Sequence, residues 1–271
     1  MSNIHKMKMH YMATALGQLH YAEEGVGDPI ICLHQTPRSW DEFRELMPLL
    51  SGHYRVIAMD MYGFGQSEKF SPPQRIEDFS AGVIALMDAL NIDISHVLGH
   101  HTGALVAFDA VAKNIGRFSS LMISSMPFTD ANYRKQHVNG EGVDDSKIVE
   151  DGSHLIQNWA KRSDYYPLNR PDLLNRFTHD SLNFGVNPVE GHLACARYII
   201  EPHLEKVICP VLILGASDDP FSLPSIEPIG KYLKNVAKLR VRIIDGGMIP
   251  LMELKAADVA EHVLDFLGEI V

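Results

Sequence analysis

A chain of 271 residues, 46% apolar and 21% charged, can bury one large core and reads as one domain with room for an inserted sub-domain. A formal charge of −10 without a dense Lys/Arg run excludes a phosphate-tracking surface, so no nucleic-acid partner is expected. No run reaches membrane length and no apolar leader follows Met1, while Cys32, Cys195 and Cys209 lack CxxC or metal-ligand spacing; the expectations are no membrane partner, reduced core thiols and a cytoplasmic chain.

In chain order, imperfect alternation predicts two strands, His10–Thr14 and Gln18–Ala22, around a turn at Gly17. Ile30–Leu33 is a continuous apolar run that suits a buried parallel strand, and residues 41–50 show helical spacing. A strand over Tyr54–Asp60, a helix over Ile76–Leu90, an apolar run Val97–Leu98, a helix to about Asn114 and a strand over Ser120–Ser124 follow. From Pro127 to Val207 strand-like runs vanish, and Pro167, Pro171, Pro188 and Pro202 punctuate short helical segments such as Ser146–Lys161 and Pro188–Ile200. The alternation resumes with a strand at Val211–Gly215, a helix near 225–234, a strand over Leu239–Ile244 and a helix over Met252–Leu267. The expected fold class is α/β: a doubly wound, mostly parallel eight-stranded sheet with an inserted helical cap. The core is placed at residues 1–126 and 208–271 and the cap at 127–207.

The chain is organised around Gly99-His100-His101-Thr102-Gly103, where an apolar run ends in Gly-x-His-x-Gly and a small-residue helix opens. This is the layout of a strand–elbow–helix turn that lifts the residue between the glycines on a strained backbone. Four further stretches keep it company: His34-Gln35-Thr36-Pro37, Asp60 to Ser67 with Gly63 and Gly65, Gly215 to Pro220, and Gly246 to Glu253. Together, in this order and over nearly the whole chain, they resemble the α/β-hydrolase fold family in its haloalkane dehalogenase, epoxide hydrolase and C–C hydrolase branch. The resemblance implies an oxyanion loop at 34–37, a nucleophile elbow at 99–103, an acid loop at 215–220 and a loop presenting a catalytic His at 246–253.

Against that pattern the nucleophile position holds His101 and the catalytic His position holds Met248, while Gln35 replaces a small glycine. A hydroxyl nucleophile with an imidazole base is therefore missing, and plain serine-hydrolase chemistry fails. The reading is an imidazole moved to the elbow: His101 as general base, or as nucleophile, with Asp218 as its acid and the backbone N–H groups of Thr36 and Thr102 as oxyanion hole. Asp219 and Asp130 are substitutes for the acid, and His34, Gln35, His100, Phe221 and Met248 are further pocket candidates, Met248 as filler of vacated volume. A metal site from His34, His100 and His101 is disfavoured, because successive residues at a strand end point apart. The expected function is cofactor-free hydrolysis, C–C cleavage or elimination on a small, largely apolar carbonyl or ester compound. The alternative is a non-catalytic binder that keeps the pocket. The partner expected is a small molecule, with a homodimer left open.

Overall fold

The computed structural model describes residues 6–139, 144, 147–221 and 223–270. Its centre is an eight-stranded sheet in the order β1-β2-β4-β3-β5-β6-β7-β8. The strands are β1 (Lys8–Thr14), β2 (Gly17–Glu24), β3 (Pro29–Leu33), β4 (Arg55–Met59), β5 (Ser95–His100), β6 (Phe118–Ser124), β7 (Val211–Ala216) and β8 (Leu239–Ile244). Only β2 runs against its neighbours; from β4 to β8 every pairing is parallel.

The helices are α1 (Met47–Leu50), α2 (Ile76–Ala89), α3 (Thr102–Lys113), α4 (Ala131–His137), α5 (Ser153–Ser163), α6 (Pro171–Ser181), α7 (Pro188–Arg197), α8 (Leu223–Tyr232), α9 (Leu251–Leu254) and α10 (Ala256–Gly268). Alternation along the strands divides the core in two. Ile31, Leu33, Val97 and Ile123 pack under α2, α3 and α8, whereas Ile30, Cys32, Leu98 and Met122 pack under α1 and α10. Burial on both faces is why β3 and β7 read as unbroken apolar runs.

Local chemistry shifts several predicted boundaries. The helical spacing at 41–50 resolves into a 3-10 turn, Trp40–Phe43, followed by α1. The single terminal helix is split at Lys255 into α9 and α10. The segment predicted to turn helical at Ser146 does so at Ser153, and Ser146 itself lies outside the described residues. Between β6 and β7 the described residues form α4 to α7 and a 3-10 turn, Glu201–Lys206, with no strand among them. That helical segment has a small core of its own, Tyr166, Leu173, Leu174 and Phe177, which closes on Ile249 of the loop before α9.

The elbow is the tightest crossing in the fold. A Cβ on Gly103 would lie 2.0 Å from the Leu33 carbonyl oxygen, and one on Gly99 would lie 2.2 Å from the Gly103 carbonyl oxygen. Helix α3 thus crosses β3 and β5 at a distance only glycine permits. Gly103→Ala should lower unfolding free energy by about 3 kcal/mol or more, because the obstruction is backbone that cannot swing aside. Gly230→Ala in α8, where a Cβ meets open space, should be neutral or stabilise by about 0.5–1 kcal/mol. Denaturant titration of both variants checks the contrast.

Candidate functional site

The residue lifted by the elbow is His101, at φ 46° and ψ −114°, in the left-handed half of backbone space that a β-carbon disfavours. Its N–H donates to the Ser124 carbonyl at 2.9 Å, so the turn is anchored to β6 as well as held between its glycines. Thr102, the next residue, is the first of α3, and its N–H has no carbonyl within the helix to reach. His101 Nε2 lies 3.0 Å from Oδ2 of Asp219, whose side chain is fully buried after β7. The two atoms are in direct imidazole–carboxylate contact, and Asp219 Oδ1 accepts from the Phe221 N–H at 3.0 Å.

Asp218 is placed differently from the sequence expectation. Its N–H donates to the Gly247 carbonyl at 2.8 Å, and its exposed carboxylate accepts from the Ser217 hydroxyl. Adjacent residues of the turn point apart, and it is Asp219 that turns inward to His101. Asp130 is spent as the N-cap of α4, accepting from the Tyr133 N–H at 2.8 Å.

His101 opens onto a cavity of about 550 Å³. The core contributes Gln35, Thr36, Thr102, Ser125 and Ile249 to its wall; α4, α5 and α7 contribute Tyr133, Arg162, His192 and Cys195. Phe221 also lines it, half exposed and edge-on to Tyr165 at 5.0 Å between ring centroids. Met248, expected as filler, is half-buried outside this lining, and the late loop presents Ile249 instead.

His34 and His100 lie beneath the cavity with both ring nitrogens engaged. His34 Nδ1 donates to the Gln35 carbonyl at 2.7 Å and Nε2 accepts from the Met61 N–H at 3.0 Å. His100 Nε2 donates to the Ile249 carbonyl at 2.9 Å and Nδ1 accepts from the Ser124 hydroxyl at 3.0 Å, which fixes one neutral tautomer. Neither ring keeps a lone pair for an ion. Burial pushes the His100 pKa down to about 3, helped by the His101 ring stacked edge-on at 4.6 Å.

Gln35 is pinned. Its N–H donates to Glu42 Oε2 at 2.7 Å and its side-chain amide to Oε1 at 2.6 Å, so the long side chain is held back. Below it, the fully buried Arg38 donates to Asp180 of α6 and, at 2.8 Å, to Glu253 of α9. One guanidinium thereby ties the loop after β3 to the helical segment and to the late loop. Glu42 and Glu253 are both raised above the usual carboxylate range, first by burial and, for Glu42, then by Glu253.

The sequence reading missed the residues that the helical segment contributes. Their arrival depends on how four helices fold back, and no spacing encodes that. One signal was present: Gly191 sits inside α7, and an isolated helical glycine often marks a close approach.

The neutral, buried His100 sets a pH dependence. Its folded pKa lies below the unfolded value of about 6.5, so the unfolded chain takes up a proton that the folded one refuses. Stability should therefore fall as pH drops from about 6.5 towards the folded pKa, with a His100 share of up to about 1.4 kcal/mol per pH unit. Urea unfolding at pH 7, 6, 5 and 4 should show a shallower loss in His100→Gln than in the wild-type protein.

The alpha/beta hydrolase fold model matches residues 28–253. The (E)-2-((N-methylformamido)methylene)succinate hydrolase of Acinetobacter baylyi is 23% identical over 208 residues, covering 75% of this chain and 77% of that one. A soluble epoxide hydrolase of Corynebacterium sp. is 35% identical over 118 residues, 43% of this chain and 41% of its own. The crystal structure of a hydrolase from Pseudomonas aeruginosa PA01 superposes with a TM-score of 0.80 at 19% identity, covering 96% of this chain and 98% of that one. No helix among the described residues is long and apolar enough to cross a membrane. With the family model spanning all but the first strands and the last helix, the chain belongs to the alpha/beta hydrolase fold family.

Proposed function

We propose that this chain is a cofactor-free enzyme of its family, a hydrolase or lyase, in which His101 is the acid–base group and Asp219 the carboxylate that orients it. The observation that carries the reading is the 3.0 Å contact between Nε2 of His101, which lines the cavity, and the fully buried carboxylate of Asp219 behind it. A pocket kept only to bind apolar ligands has no use for an imidazole set against a fully buried carboxylate, whose desolvation costs free energy. His101 stands where the family carries its nucleophile and Met248 where it carries its base, so the imidazole replaces two lost groups with one.

In hydrolysis, His101 takes a proton from a water molecule as its oxygen attacks the substrate carbonyl. The oxyanion that forms is stabilised by the N–H groups of Thr36 and Thr102, and collapse of the adduct expels the leaving group. The same base and anion hole serve C–C cleavage or elimination next to a carbonyl. A small carbonyl or ester compound suits a cavity of about 550 Å³, and the relatives named above act on small molecules by hydrolysis. Three unpaired cysteines suit a reducing compartment such as the cytoplasm. The absence of an elbow hydroxyl favours a second reading, a non-catalytic binder, and activity separates the two.

With p-nitrophenyl acetate as substrate, His101→Ala should lose about 10²-fold or more in kcat/KM. Asp219→Asn should lose about 10-fold or more, while Asp218→Asn should stay within about 2-fold of wild type, because its carboxylate faces solvent. A wild-type protein that binds small carbonyl compounds yet hydrolyses none would establish the binder instead.

A further inference from the structure

Two histidines that line the same cavity, His101 and His192, are each paired with a buried carboxylate, and the proposed chemistry uses only the first. The second comes from the helical segment. Helix α7 lies directly across the two loops that offer the oxyanion hole: a Cβ on Gly191 would fall 2.1 Å from Thr36 Oγ1, and Cys195 Sγ lies 3.7 Å from Thr102 Oγ1. Residues 191 and 195 are one turn apart and so share a face. His192 follows Gly191 at the edge of that face and lines the cavity together with Thr36, Thr102 and His101.

Behind His192 stands Asp144. Its Oδ2 is 2.9 Å from His192 Nε2, and Arg162 of α5 grips the same carboxylate through Nε, at 2.7 Å, and Nη2. Asp144 and Arg162 are both more than nine-tenths buried, so this is a built pair and not a passing surface contact. His192 and Arg162 hold the Asp144 carboxyl down to about 2, so it is ionised at any working pH and can only accept. The His192 proton therefore sits on Nε2, and Nδ1 is left to give or take a proton.

We propose that His192, oriented by Asp144, is a second acid–base group of this cavity and protonates the leaving oxygen of an ester whose alcohol is a poor leaving group. The proposal rests on the reading of His101 as the base. The water proton goes to His101, the water oxygen bonds to the carbonyl carbon, the carbon–oxygen bond to the alcohol breaks, and His192 Nδ1–H gives its proton to the departing alkoxide. Exchange with bulk water returns one proton to His192 and removes one from His101, so the cycle closes without a further reactant. The other titratable or charged groups that line the cavity with His192 and Asp144 are Lys161 and Arg162 from α5, Tyr133 and His137 from α4, Cys195 from α7 and His101 from the elbow.

The test compares leaving groups. p-Nitrophenolate leaves without a proton, whereas ethoxide needs one. His192→Gln should lose about 10²-fold in kcat/KM on ethyl acetate and less than about 3-fold on p-nitrophenyl acetate. Asp144→Asn should show the same split, and His101→Ala should lose activity on both esters. An equal loss on both esters in His192→Gln would make His192 a structural group of the helical segment, and no loss on either would make it idle; each result overturns the proposal. If wild type cleaves neither ester, the reading of His101 falls first and this inference with it. Should both variants fail to fold, 15N-histidine spectra of the wild-type protein still decide: a proton on Nε2 of His192 with a titrating Nδ1 supports the proposal, and a proton fixed on Nδ1 overturns it.

Discussion

The chemistry of this chain depends on one steric constraint, the crossing of α3 over β3 and β5 at Gly99 and Gly103. Because a Cβ at either position would collide with backbone, the helix can start only where two glycines allow it. The residue between them is then forced to φ 46° and lifted to the cavity wall. Any side chain at position 101 would be presented there. A histidine in that place brings an imidazole to the head of a helix, beside an N–H without an intrahelical partner. The elbow is thus a presentation device whose geometry is independent of the residue it presents.

A second constraint holds the loops around the elbow in register. Arg38 is fully buried beneath the loop after β3 and reaches Asp180 in α6 and Glu253 in α9. Burying a guanidinium is costly, and the cost is offset only if each carboxylate stays in place. Three segments distant in sequence are therefore fixed to one point, and all three border the site. The neutral His100, donating to the Ile249 carbonyl, ties the late loop to β5 in the same way.

Much of the fold was legible because strand burial leaves a plain mark. Ile30–Leu33 and Val211–Gly215 are apolar without break since helices cover both faces, and the glycines of the elbow have no other use. The site was legible only to within one residue. Asp218 and Asp219 are chemically identical neighbours, and which one turns inward is decided by the bond from the Asp218 N–H to Gly247, a contact across 29 residues that no local pattern encodes. Met248 and Ile249 differ in the same manner: the late loop presents Ile249 to the cavity. The pair of His192 and Asp144 lies further out of reach. Those residues are 48 apart, with His192 on α7 and Asp144 held by Arg162 of α5, so spacing alone could not bring them together.

The central claim is that the imidazole at the elbow supplies the chemistry and that Asp219 orients it. Chemical rescue tests this most directly. His101→Gly leaves the positive φ unstrained and opens space for a free imidazole beside Asp219. Added imidazole should restore p-nitrophenyl acetate hydrolysis to this variant in a saturable manner, and the rescue should disappear in His101→Gly/Asp219→Asn. Full activity in His101→Gly without imidazole, or a rescue no greater than the reaction of imidazole with the ester in solution, would contradict the account.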